Sequence, residues 1–191
     1  FAIHRPKTLL SLGFILLALA IACITQIRVN NNMVKWFKSG SELRTADRVM
    51  NANLGGTSLG YVVAKANSEG TIIEPANLVY LDELQKDLEN LPLVGKTSSL
   101  TDLAKRMHRV MNQDSLEFYK LPEDKKVIAQ YLFMFGMASK HAALNNLVDY
   151  PYQQANLFVQ LKTWDAQAMQ EVIDRIEVFQ KKNPRPELVL R

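Results

Sequence analysis

Apolar positions are distributed in two different ways along the chain. From Thr8 to Ile27 they form a 20-residue run with no acidic or basic side chain, and from residue 30 onward they recur between charged and polar residues. A helix as long as that run spans roughly 30 Å, the hydrocarbon thickness of a bilayer, where the backbone must satisfy itself. The run therefore predicts a membrane-spanning helix within residues 1–29, followed by a water-exposed domain over 30–191. Two other readings fit the same residues. Arg5 and Lys7 ahead of an apolar stretch suit a secretory signal, although such cores hold only about 7–15 residues. Ala20-Ile21-Ala22-Cys23 loosely matches the site at which a lipoprotein is cleaved and lipidated. The flanking charges do not fix orientation, since Arg28, Lys35, Lys38 and Arg44 follow the run. Phe1 in place of Met, and a last segment that reads as an opening strand, lead to the expectation of a segment from a longer protein.

Behind the turn-prone Asn30-Asn31-Asn32, the periodicity alternates between helix and strand. Residues 41–53 predict a helix capped by Ser41, with Leu43, Ala46, Val49 and Met50 on one face and Gly55-Gly56 at its end. Residues 57–65 alternate as a strand, with Leu59, Tyr61 and Val63 on one side. Pro75 opens a helix whose Leu78, Leu81, Leu84 and Leu88 share a face, with Asp82, Glu83, Lys86 and Asp87 expected in water. Leu91-Pro92 ends it before a short strand at 94–98. Ser99 and Asp102 fit a capping box, ahead of a stripe of Leu100, Leu103, Met107, Val110 and Met111. Pro122 opens the next helix. Residues 155–162 alternate again, a helix follows over about 165–181 with Met169, Val172, Ile173, Ile176 and Phe179 at the helical period, and 187–191 begin a last strand. Strand–helix–strand, a helical insertion at about 100–147, and a second strand–helix–strand predict an α+β domain, folded as a split β-α-β, ferredoxin-like sandwich.

Charge adds little to this picture. The 23 basic and 19 acidic residues are interspersed, and no basic stripe alternates with aromatics, so nucleic acid is not an expected partner. The only cysteine, Cys23, lies in the apolar run, which excludes a disulfide framework in the water-exposed part. His4, His108 and His141 stand apart from one another and read as surface residues. Gly55–Gly60 (GGTSLG) precedes a strand, where no phosphate cradle forms, and the adjacent acids Asp82-Glu83 and Glu123-Asp124 cannot share a helical face. No catalytic residues, metal ligands or cofactor are assigned, and a non-enzymatic role is expected.

Three groups remain as candidate sites. Tyr131–Met137 sets large apolar groups around a whole helix turn. Such a segment is either core or an adaptable apolar surface, and on the second reading Phe133, Met134, Phe135 and Met137 would contact a hydrophobic ligand. Trp36 and Phe37 either anchor at a membrane interface or pack under the helix that follows. Gly55 and Gly56 are chain punctuation or a hinge.

Taken in order, HRPKTLL at 4–10, FKSGSELRTADRVMNANLGGTSLGYVV at 37–63, VGKTSSLTDLAKRMHRVMN at 94–112 and YPYQQANLFVQLK at 150–162 resemble one half of a resistance–nodulation–division (RND) exporter. The branch in question contains the MMPL-like and hopanoid-type exporters of lipids and hydrophobic molecules. The resemblance implies one transmembrane helix in the inner, cytoplasmic membrane and a periplasmic porter domain of ferredoxin-like units. It implies proton-driven export, with this domain forming part of the substrate pathway. Expected partners are the remainder of the transporter chain, its paired porter domain, the lipid bilayer, a hydrophobic or lipid cargo and a second copy of the protein. Residues that couple export to protons would lie in other helices, because Thr8–Ile27 holds no ionisable group except the Cys23 thiol. The competing class is a stand-alone membrane-tethered or lipoprotein domain that binds a ligand or assembles with partners.

Overall fold

A computed structural model describes residues 6–24, 32–138 and 141–191. It divides into two units, 1–31 and 32–191. The first contains helix α1 (Pro6–Ile24), 19 residues long and so about 28 Å from end to end. Its described apolar side chains, Phe14 to Leu17 among them, are exposed. Among the described residues no helix is long and apolar enough to cross a membrane. The last three residues of the apolar run, 25–27, lie outside the described residues.

The second unit is α+β. In chain order it comprises α2 (Glu42–Asn53), β1 (Ser58–Ala66), α3 (Pro75–Glu89), β2 (Val94–Ser98), α4 (Leu100–Met111), α5 (Lys125–Ala138), α6 (His141–Asn145), β3 (Gln154–Leu161), α7 (Ala166–Lys182) and β4 (Leu188–Leu190). The four strands form one sheet in the order β2-β3-β1-β4, and each neighbouring pair is antiparallel. Two strand–helix–strand units thus interleave, and α4 to α6 are inserted between them.

The leucine stripe read in α3 is the heart of the core: Leu78, Leu81, Leu84 and Leu88 are all buried, each contributing about 1.5–3 kcal/mol. Pro75 opens the helix where an N–H has no helical partner. On the sheet, Ala64 and Ala66 of β1 and Leu157, Val159 and Leu161 of β3 face this core. The apolar set on which the β1 alternation was read lies on the other face, where Leu59 and Tyr61 are exposed and Tyr61 packs edge-on against Phe158 at 5.0 Å. Both faces of β1 carry apolar residues. The helices bring bulky side chains to the inner one, so its strand positions are small.

The acids expected in water divide. Asp82 is buried and pairs with Lys105 of α4 and, at 2.9 Å, with Lys86. Asp87 forms a two-bonded pair with Arg175 of α7, at 2.7 and 2.5 Å. A partner on another element explains each departure, and adjacent positions in the chain do not reveal such a partner. The α4 stripe is likewise trimmed: Leu100, Thr101 and Ala104 are buried, whereas Val110 and Met111 stand exposed. In α2 no residue is buried, and Leu43, Val49 and Met50 face outward.

One amide ties the start of the insertion to α3 and to the end of β2. Gln85 of α3 donates to Thr97 Oγ1 (3.1 Å) and Asp102 Oδ2 (2.9 Å), and its Oε1 accepts from Ser99 and Thr101. Asp102 also accepts from the Ser99 N–H at 3.0 Å, which completes the capping box read from the sequence. Replacing Gln85 by Met keeps its volume but leaves these buried partners unmet. The Gln85→Met chain is expected to lose at least about 2 kcal/mol in urea unfolding followed by tryptophan fluorescence.

Candidate functional site

Helix α5 is placed by its charged start. Asp124 accepts from the Lys126 N–H at 2.8 Å, and Lys125 pairs with Glu74 at the head of α3 at 2.6 Å. Pro122 lies three residues ahead of the helix and is buried. From that start the 3.6-residue period turns Ile128, Tyr131 and Leu132 into the core. The same period turns Phe133 and Met137 outward, at 65% and 72% exposure. Met134 is also exposed and Phe135 half-buried. Two of the four candidate ligand residues, Phe133 and Met137, line one hollow of about 190 Å³ together with Gly136, Leu144, Tyr150 and Tyr152. Met134 and Phe135 are not part of its lining. Tyr150, 94% exposed, stands at this hollow. It escaped the sequence reading because a lone tyrosine in a turn carries no periodic signal.

A second and wider cleft, about 480 Å³, lies between α7 and the inner face of β1 and β3. Its walls are apolar: Val62, Val159, Leu161, Val172 and Ile176 from the core, with Met169 and Ile173 at the mouth. Glu177, Gln180 and Arg191 also border it. Periodicity found Met169 and Ile173 as members of the α7 stripe and expected them to be covered. Both are partly exposed.

Trp36 ends, and Phe37 follows, a single helical turn over Met33–Trp36, capped by the Asn32 side chain, which accepts from the Val34 and Lys35 N–H groups. The turn is tied to the start of α7 by Lys35 and Asp165 at 2.9 Å. Trp36 is 72% exposed and Phe37 also faces outward, so neither packs under α2. Met33 and Val34 line a hollow with Leu43, Ala46 and Met50 of α2. The other tryptophan, Trp164, donates to Thr57 at 3.1 Å, and Thr57 donates to Asp47 of α2 at 2.7 Å.

The glycine pair is held against the sheet. Gly56 has φ +126°, a conformation that side chains resist, and a Cβ there would strike the Leu161 carbonyl. A Cβ on Gly95 of β2 would fall on the Gly55 carbonyl. The pair therefore serves a close backbone crossing between the end of α2 and strands β2 and β3.

His108 is half-buried between the rings of Phe118 (5.6 Å) and Tyr131 (5.9 Å), and so is not the plain surface histidine expected. Its buried Nδ1 has no hydrogen-bond partner. Burial, with a smaller contribution from the Lys120 charge, holds its pKa below the ordinary histidine value. His4 lies outside the described residues and His141 opens α6. Ser99 is engaged as a helix cap. Among the described residues no group of three or more His, Cys, Asp or Glu is placed to hold a metal ion.

Among the described residues the geometry offers apolar hollows and partly buried ion pairs. No family model matches the chain, and no curated protein matches it.

The His108 environment predicts a pH effect. A base whose folded pKa is depressed favours the neutral form, so its stabilising contribution is present above about pH 6.5 and is lost as pH falls through the lower folded value. Urea unfolding of the parent chain between pH 7.5 and 5 is expected to show a steeper loss of stability than the His108→Phe chain. Parallel pH profiles would refute this role for His108.

Proposed function

We propose that the chain is the membrane helix and periplasmic porter domain of an RND-type exporter of lipid-like or hydrophobic molecules. The observation that carries the reading is the pair of exposed side chains Phe133 and Met137, which line a hollow with Tyr150. It sits on a helical insertion between two interleaved strand–helix–strand units. The strand order is what two split β-α-β units produce, and it supports a ferredoxin-like assignment. On this reading residues 8–27 span the inner membrane and the 32–191 unit stands in the periplasm.

The mechanism is alternating access. The porter domain rocks against a paired porter domain, and the insertion lines an apolar passage between them. Methionine and aromatic side chains suit such a passage because they repack around irregular cargo. Energy coupling belongs to membrane helices contributed by the remainder of the transporter, and the bilayer, the cargo and a second copy complete the set of partners. No cofactor enters this scheme.

Native size tests the assignment. An antibody against residues 32–191 should detect, in alkaline-washed membranes, a protein several times heavier than the 21.7 kDa of this chain. A band near 21.7 kDa would overturn the reading in favour of a tethered or lipidated binding domain.

The surface itself is tested by Phe133→Asp. The side chain is exposed, so the fold should survive, and efflux of a hydrophobic dye such as Nile red from cells whose full transporter carries the substitution should fall about tenfold below the parent, as expected for losing one well-buried aromatic contact to cargo. Unchanged efflux by a folded variant would remove Phe133 from the passage.

A further inference from the structure

Cationic side chains gather at one hollow without a matching set of acids. The hollow measures about 300 Å³ and lies between α2, the turn over Met33–Trp36 and the chain that leaves β3. Lys35, Arg44, Arg48 and Lys162 line it. The lining holds one acid, Asp47, which already accepts from Thr57 at 2.7 Å. Lys35 is paired with Asp165 at 2.9 Å. Among the described residues none of Arg44, Arg48 and Lys162 forms an ion pair. Arg44 and Lys162 donate instead to the carbonyls of Phe37 (3.3 Å) and Pro92 (3.4 Å).

Arg44 and Arg48 stand four residues apart, so they leave the same face of α2, where like charges oppose each other. Lys162 reaches the same hollow from the end of β3. Three cations from two elements thus converge, and each keeps donors that the protein does not use. An anion relieves their repulsion. A carboxylate has two oxygens, which match a single guanidinium fork. A phosphate monoester brings three acceptor oxygens and nearly two negative charges, enough for two forks and an ammonium. The wall beside these cations is the half-buried Trp164, whose ring N–H is already given to Thr57 at 3.1 Å. It therefore offers ring surface rather than a further donor. The strand order sets β1 between β3, which borders this hollow, and β4 with Arg191.

We propose that the hollow binds a phosphate monoester, with Arg44, Arg48 and Lys162 on its oxygens and the Trp164 ring against its carbon skeleton. A soluble ester and a lipid headgroup share this chemistry. The residues are distinct from those of the α5 hollow, so the site stands apart from the transport reading.

The test uses the full 191-residue chain with Trp36→Phe, which leaves Trp164 as its tryptophan, in uncharged dodecyl maltoside micelles. Glycerol 3-phosphate is added to lipid-free micelles, and phosphatidate is titrated in mixed micelles. Trp164 emission should change saturably. A response to glycerol 3-phosphate shows that a soluble ester suffices, and one confined to phosphatidate identifies a lipid headgroup. Arg48→Gln alters an exposed side chain outside any ion pair, so the fold should survive. It should raise the half-saturating concentration at least about tenfold, as expected for losing a charged hydrogen bond. Lys38→Gln removes the same charge outside the hollow and should change that concentration by less than about twofold, because exposed charges are screened. Absence of a saturable response to either ester would overturn the proposal. Equal effects of Arg48→Gln and Lys38→Gln would do so too, by reducing the site to diffuse surface charge. A response to acetate at the same concentrations would remove the assignment to phosphate.

Discussion

A single buried amide decides how the helical insertion sits on the rest of the domain. A primary amide has two donor and two acceptor positions, and all four of Gln85 are occupied, by Thr97, Asp102, Ser99 and Thr101. These partners come from the end of β2 and the start of α4, so one side chain of α3 fixes the angle at which the chain leaves the sheet. The leucines around it supply most of the stability, but burial has no direction. Four leucines alone would hold α3 against the sheet at several angles. A fully satisfied polar network removes that freedom, because any other angle leaves a buried group unmet. Thr97 extends the network to Glu89 at 2.7 Å, and the Asp82–Lys105 pair repeats the clamp one turn away.

The position of α5 follows from that anchoring. With α4 fixed, the Glu74–Lys125 pair sets where the next helix begins, and the helical period determines which side chains remain outside. Phe133 and Met137 are outside because Ile128 and Leu132 are inside. Two apolar openings result, and they differ in kind. The hollow on α5 is bordered by exposed Phe133, Met137 and Tyr150, whereas the α7 cleft is walled by buried core residues such as Val62, Val159 and Ile176.

Much of this was legible in the residues. The α3 stripe, the Pro75 start, the capping box at Ser99 and Asp102, and the order of strands and helices depend on neighbours three or four positions away, or on single residues with strong backbone preferences. The exposure of Phe133, Met134 and Met137 was one of two open readings, since an all-round apolar helix has no face that its own sequence marks as outer. The inner face of β1 was not legible, because Leu59, Tyr61 and Val63 form a better apolar alternation than Val62, Ala64 and Ala66. The burial of Asp82 and the placing of His108 between two rings also went unread. Each depends on an element far along the chain: Lys105 for the first, and Phe118 and Tyr131 for the second.

The sequence by itself determined the α+β class and the leucine stripe of α3, because burial, capping and backbone preference act over a few residues. Only the tertiary structure decided which apolar residues stay exposed and which acids are paired. Those outcomes depend on what packs against each face. That is set by contacts such as Gln85 to Asp102 and Asp87 to Arg175, whose partners no local pattern identifies.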